Sequence, residues 1–254
     1  MILAIDIGNT TVEFGFVKDQ KFLKSYKLSS NIDKTVDDWL LDLKTIFSVE
    51  NLKVQDFVIS SVVPQIEDKI SHAIKKGFNK KPLIIGKELK IPIKNNYKNP
   101  YEVGMDRLVN AYGAIHKANP PLIVIDLGTA ITFDIVNEKG EYEGGAIFPG
   151  IDSSIKTLFS KTSKLPMVSI DETKNIIGKT TIESIQSGIF FGYCSLIEGM
   201  VNRISKHYNH SFNIIITGGN SKLISRGLSI KHILDEYLSL EGIYLIYKFN
   251  HSKL

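Results

Sequence analysis

The chain has 254 residues, of which 43% are apolar and 23% charged, a balance that suits one large or two small domains with a buried core and excludes a disordered tail or a stapled miniprotein. Its 31 basic residues are dispersed among 27 acidic ones, for a formal net charge of +4, so nucleic acid is not indicated as a partner. A single cysteine, Cys194, excludes an internal disulfide and points to a reducing compartment, the cytoplasm.

In chain order, Met1-Ile2-Leu3-Ala4-Ile5-Asp6 has no basic leader, and the acid inside this short apolar run argues against a signal peptide. No apolar segment approaches the roughly 18 residues that cross a bilayer, so no membrane partner is expected. Residues 2–5 and 12–17 read as strands around a tight turn, and residues 36–47 carry a helical period. A further apolar strand, residues 57–59, ends in Ser60-Ser61. Lys75-Lys76 and Lys80-Lys81 lie in a turn-rich stretch and are expected to be solvated surface. Pro92, Pro100 and the polar run between Lys94 and Asn99 make the clearest irregular connection. A helix is expected over 106–118, and Pro120-Pro121 precedes a second pair of strands, 122–125 and 131–136. Gly144-Gly145-Ala146-Ile147-Phe148-Pro149-Gly150 holds too much glycine and proline for a regular element, and reads as a constrained loop entering a helix over 151–159. Ile182, Ile185, Ile189, Tyr193, Leu196, Met200 and Ile204 then recur at helical spacing over 181–208, before a strand that ends in Thr217-Gly218-Gly219.

An internal repeat organises these elements. Ile5-Asp6-Ile7-Gly8-Asn9-Thr10 is echoed by Ile125-Asp126-Leu127-Gly128-Thr129-Ala130, each copy sitting between two β-branched runs as strand, turn, strand. Each half also has a later apolar strand ending in small residues. The expected fold is therefore α/β with two similar lobes, divided near residue 115 into 1–115 and 116–254.

The repeated turns are the first candidates for chemistry. Gly8 lets a ligand approach the backbone, exposed N–H groups with Asn9 and Thr10 can donate to phosphate oxygens, and Asp6 can hold Mg²⁺ directly or through water. One such turn is as well explained by hairpin geometry alone, but a second copy favours a pair of phosphate-gripping turns. Thr217-Gly218-Gly219 reads either as a border for the adenosine end of a nucleotide or as a plain strand-to-helix turn. In Gly104-Met105-Asp106-Arg107, Asp106 serves as a helix N-cap, as a proton acceptor for an incoming hydroxyl, or as both, while Arg107 suits an anionic group. Tyr97 is a loop aromatic or a phenolic donor to substrate. The glycine-rich loop at 144–150 is a pocket wall or a rigid connector. His207 and His210 lie near a helix end, where free carbonyls are more natural partners than a metal. Cys194 reads as a small core residue.

Taken together, Asp6-x-Gly8-Asn9-Thr10, Ser60-Ser61-Val62-Val63-Pro64, Gly104-x-Asp106-Arg107, Asp126-x-Gly128-Thr129-Ala130-x-Thr132-x-Asp134, the 144–150 loop and Gln186-Ser187-Gly188 resemble the type III pantothenate kinases of the acetate kinase, sugar kinase, Hsp70 and actin superfamily. The resemblance covers nearly the whole chain, and Leu240-Glu241-Gly242-Ile243-Tyr244-Leu245-Ile246-Tyr247 looks like the family's last helix. It implies two ribonuclease H-like, actin-like ATPase lobes, each a mixed sheet with hairpin strands and flanking helices, and two phosphate turns facing one another across a cleft. The implied activity is ATP-dependent phosphorylation of pantothenate to 4′-phosphopantothenate, the first step of coenzyme A biosynthesis. By the same resemblance Asp6, Ile7, Gly8, Asn9, Thr10, Thr11, Val12 and Glu13 form the first ATP loop and Thr129 touches ATP from the second. Tyr97, Gly104, Met105, Asp106, Arg107 and Thr181 contact pantothenate, with Asp106 as the proton acceptor. Asp126 holds a monovalent cation, K⁺ or NH₄⁺. Two positions depart from the pattern: Thr11 and Thr180 stand where Asn is common, and both stay polar. The spacing of Gly188 and Gly192 lets another backbone approach, either within the chain or, as the resemblance favours, in a homodimer. A regulatory alternative remains open, because Bvg accessory factor proteins, described as transcriptional activators, share the family.

Overall fold

The computed structural model describes residues 1–252 except Gln20, Asn51 and Ser163. Its contacts divide the chain into two compact units, Met1–Lys117 with Tyr237–Leu254, and Ala118–Glu236. The first unit carries β1 (Ile2–Ile7), β2 (Thr11–Lys18), β3 (Lys21–Ser29), α1 (Val36–Glu50), β4 (Asp56–Ser61), α2 (Pro64–Phe78), β5 (Leu83–Ile84) and α3 (Met105–Ala114). The second carries β6 (Leu122–Leu127), β7 (Ala130–Val136), β8 (Tyr142–Pro149), α4 (Ile151–Lys161), α5 (Thr181–Tyr208), β9 (Asn213–Thr217), α6 (Ser221–Ser225) and β10 (Ile233–Leu234). The final helix, α7 (Leu238–His251), belongs to the first unit. A division at residue 115 places these last residues in the second lobe; apolar residues of α7, among them Leu240, Ile243 and Ile246, instead cluster with Ala4 of β1 and Val109 of α3.

Each unit is a five-stranded mixed sheet, and the sheets have one plan. The orders are β3-β2-β1-β4-β5 and β10-β9-β6-β7-β8, so β1 and β6 are both central, antiparallel to the strand that follows them and parallel to the strand on their other side. Central strands shielded on both faces read as continuous apolar runs, as in Ile2 to Ile5 and Leu122 to Ile125. One face of the first sheet packs Leu3, Ile5, Phe14, Phe16 and Ile59 against Trp39 and Leu43 of α1 and Ile70 and Ile74 of α2. One face of the second packs Ile123, Ile125, Phe133 and Ile216 against Phe190, Tyr193, Cys194 and Ile197 of α5.

Three elements differ from the sequence expectations. The glycine-rich segment is a strand: Tyr142–Pro149 pairs antiparallel with β7, with Phe133 opposite Ala146 and Asp134 opposite Gly145. Lys75 and Lys76 sit exposed in the last turn of α2, where cations complement the helix dipole, so they are solvated as expected but on a helix. The helix at 106–118 stops at Ala114. Cys194 is buried in the second core, and burial pushes its thiol up to about 11.

Candidate functional site

The first repeated turn is built by its own backbone. Gly8 N–H donates to Thr11 O at 3.0 Å, Ser30 N–H donates to Thr10 O at 2.9 Å, and Ser30 Oγ donates to Gly8 O at 2.6 Å. Asn9, Thr10 and Thr11 are exposed. Ile7 and Val12 are buried in the apolar core, so any ligand contact they make is through the backbone. Asp6, one residue before the end of β1, pairs in register with Glu13 on β2 and Ser60 on β4. Ser60 is fully buried, a polar side chain directly after the apolar run Phe57 to Ile59.

Asp106 is brought to the same end of the first sheet. Val62, just past β4, donates its N–H to Ile7 O at 3.0 Å, and its Cγ1 lies 3.6 Å from where a Cβ would stand on Gly104. Gly104 then caps α3, so Asp106 falls in the first turn. The Asp106 carboxylate turns back, with Oδ1 accepting from Arg107 N–H at 2.8 Å. A Cβ at Gly104 would collide with that same oxygen, so glycine is what allows the carboxylate its position. Burial raises the pKa of Asp106, and the Arg107 N–H and charge pull it down less strongly. A carboxylate deprived of water is a stronger base than an exposed one. Arg107 is buried on α3, and Asn110, one turn further on, accepts from Ser239 Oγ at 2.7 Å. Tyr97 is half-buried in the irregular stretch before α3, its N–H bonded to Asn95 Oδ1 at 3.0 Å.

In the second unit, Asp126 repeats the position of Asp6, pairing in register with Thr132 on β7 and Thr217 on β9. Gly218, at φ +94°, approaches so closely that a Cβ there would run into Asp126 Oδ1 and the Leu127 backbone. Thr217-Gly218-Gly219 is thus a turn folded onto the acid, and Asn220 N–H ties it down by donating to Leu127 O at 3.2 Å. The carbonyl of Thr129 accepts from Gly150 N–H and from Ser153 Oγ, both at 3.2 Å, docking the start of α4 on the second turn. Tyr193 OH donates to Pro149 O at 3.1 Å, which holds the end of β8 from α5. Asp134 is fully buried and accepts from Thr132 Oγ1 and Tyr142 OH, each at 2.8 Å. Thr181 is exposed at the first position of α5, after Thr180 Oγ1 caps the helix by accepting from Glu183 N–H at 3.2 Å. Threonine at 180 is thus used as the helix N-cap.

Asp6, Gly8 and Asp106 are therefore brought together at one sheet end, and Asp126 and Thr129 at the equivalent end of the other sheet. From the sequence, Ser60 is marked only as the end of an apolar strand and part of a family motif, Tyr193 only by its helical spacing and Asn220 not at all, and none of them carries a role there. Ser60 carried a signal, as a hydroxyl at the end of an apolar run; the other two depend on tertiary contacts.

The family model described as type III pantothenate kinase matches residues 2–203. A protein named type III pantothenate kinase from Persephonella marina is 64% identical over 253 residues, covering 98% of this chain and 99% of that protein. One of the same name from a Sulfurihydrogenibium species is 51% identical, covering 98% of this chain and 100% of that protein. Among solved structures, a putative Baf family transcriptional activator from Campylobacter jejuni aligns at TM-score 0.61 with 22% identity, over 98% of this chain and 99% of that one. A ROK family glucokinase from Streptomyces griseus, in complex with glucose and AMPPNP, aligns at TM-score 0.54 with 12% identity, over 95% of this chain and 97% of that one. At such identities the structural likeness speaks for the fold, that of the actin-like ATPases and sugar kinases. The sequence matches go further: this chain belongs to the type III pantothenate kinase family.

Proposed function

We propose that the chain is an ATP-dependent kinase that transfers the γ-phosphoryl group to the 4′ hydroxyl of pantothenate, giving 4′-phosphopantothenate for coenzyme A synthesis. The observation that carries this is the full-length match to relatives named for that activity, at the identities given above. The regulatory alternative gains no support from the Campylobacter structure, because its identity to this chain speaks for fold alone.

Enzymatic phosphoryl transfer depends mostly on positioning and on neutralising charge. In this proposal the N–H groups and side chains from Asp6 to Glu13 hold ATP, and Thr129 is assigned to it as well. Asp106 accepts the hydroxyl proton, and its partly buried carboxylate, bonded to the Arg107 N–H, supports that role. Gly104, Met105, Arg107, Tyr97 and Thr181 are assigned to pantothenate. Asp6 is assigned to Mg²⁺ through water, and the fit is supported by oxygen-bearing neighbours on both sides, one of them the buried Ser60. Magnesium, when bound, neutralises β- and γ-phosphate charge. Asp126 is assigned to K⁺ or NH₄⁺, and the register neighbours Thr132 and Thr217 place hydroxyl-bearing side chains on either side of its carboxylate.

A homodimer belongs to the same proposal. A groove of about 470 Å³ lies along α5, lined by Phe148, Pro149, Leu158, Gly188, Gly192 and Leu196. Among the described residues nothing lies within 4 Å of a Cβ built at Gly188 or Gly192, so this face of α5 is open to a second chain. No helix among the described residues is long and apolar enough to cross a membrane. The cytoplasm is the compartment where this chemistry and a free Cys194 fit together.

Asp106→Asn tests the mechanism. It should lower kcat by about 10² to 10⁴-fold and leave ATP binding in place, as expected for loss of general-base assistance. Undiminished turnover would remove Asp106 from the role.

A further inference from the structure

Asp6 sits in a polar row that runs across the first sheet. Its register partners are Glu13 on β2 and Ser60 on β4, and Lys27 on β3 is the partner of Glu13. Residues directly opposite one another on paired strands share a face, so these side chains lie side by side. Two atoms of the row are orphaned: Glu13 Oε1 and Ser60 Oγ are buried and make no hydrogen bond among the described residues. The other oxygen of Glu13 lies 3.3 Å from Lys27 Nζ. Two carboxylates facing each other across a strand pair repel, and a buried polar atom without a partner is costly. A hydrated cation beside Asp6 relieves both.

We infer that Glu13 and Ser60 complete the magnesium site begun by Asp6, each bonding to water of the metal's hydration shell. The inference rests on the assignment of Asp6 to magnesium. Among the described residues no group of three or more His, Cys, Asp or Glu side chains forms a cage. That suits Mg²⁺, which keeps several waters and takes one or two carboxylates together with phosphate oxygens. Glu13 is the charged member, and it sets how tightly the metal is held. Ser60 orients the shell from the opposite side.

The test is a titration of Mn²⁺ into the full chain with ATP, following free Mn²⁺ by electron paramagnetic resonance. Glu13→Gln and Ser60→Ala should each raise the half-saturating Mn²⁺ concentration by about tenfold, the scale of losses when groups behind a metal's direct ligands are removed. Without metal, Glu13→Gln should melt close to the parent, because it removes the repulsion from Asp6 together with the half-exposed ion pair to Lys27. Parental half-saturation in both variants, with Asp6→Asn clearly weakened, would overturn the inference while leaving Asp6 in place. Parental behaviour in Asp6→Asn as well would overturn the assignment beneath it. Metal-free melting well below the parent in both variants, with metal binding unchanged, would overturn it too, by making the row part of the scaffold.

Discussion

Burial raises the pKa of Asp106 above the ordinary carboxylate value, and this has a consequence for stability as well as catalysis. Between the unfolded and folded pKa values the native chain binds more protons than the unfolded one. The contribution of Asp106 is therefore fully present below the unfolded pKa and is lost as pH rises through the folded pKa. At neutral pH the ionised group is held at a cost. Asp106→Asn should accordingly melt at or above the parent near pH 7, with the gap closing as pH falls below the usual carboxylate range. The acid limb of the kcat/KM profile should also lie above that range; a limb at the ordinary value would contradict the shifted base. At this scale the sequence was informative where chemistry repeats. Asp6 and Asp126 stand out because each precedes a glycine at equivalent points of the two copies. The partners of these acids were less visible, since Thr217 and Ser60 become neighbours only through strand pairing.

The position of Asp106 depends on α3, and α3 depends on α7. The two helices meet at glycines: a Cβ on Gly242 would stand 2.6 Å from Val109 O, and one on Gly113 would stand 3.3 Å from Gly242 Cα. Backbone cannot swing aside as a long side chain can. Gly242→Ala should therefore push the helices apart and destabilise the chain by about 1–3 kcal/mol, the usual cost of overpacking, read as a lower denaturant midpoint. A parental midpoint would show that α7 tolerates a shift. This contact was hidden in the sequence, because residues 240–247 follow the second repeat yet pack with the first unit. The helix from Thr181 and the strands around both turns were legible from residue periodicity and β-branched runs. β8 was not: Gly144, at φ +124°, and Gly145 have weak strand propensity, and it is the ladder with β7 that makes them a strand.

For the whole molecule, the repeat read in the sequence corresponds to two sheets of one strand order, each with an acid near the end of its central strand. Family motifs covered nearly the full chain, which is why activity was legible where single motifs left alternatives. Assembly is argued from the open face of α5 and from the exposed Ile147, Phe148 and Leu158 on or near it. Sedimentation should give twice the chain mass, and a fully active species of single-chain mass would contradict the dimer.

Pantothenate as the acceptor is open to direct test. Purified protein should be given Mg-ATP, with and without potassium, and offered pantothenate, pantetheine, glycerol, acetate or water alone, with phosphorylated products followed by ³¹P nuclear magnetic resonance. A phosphomonoester formed from pantothenate, dependent on potassium, is the expected result. ATP breakdown to inorganic phosphate at one rate whatever acceptor is present would contradict the account.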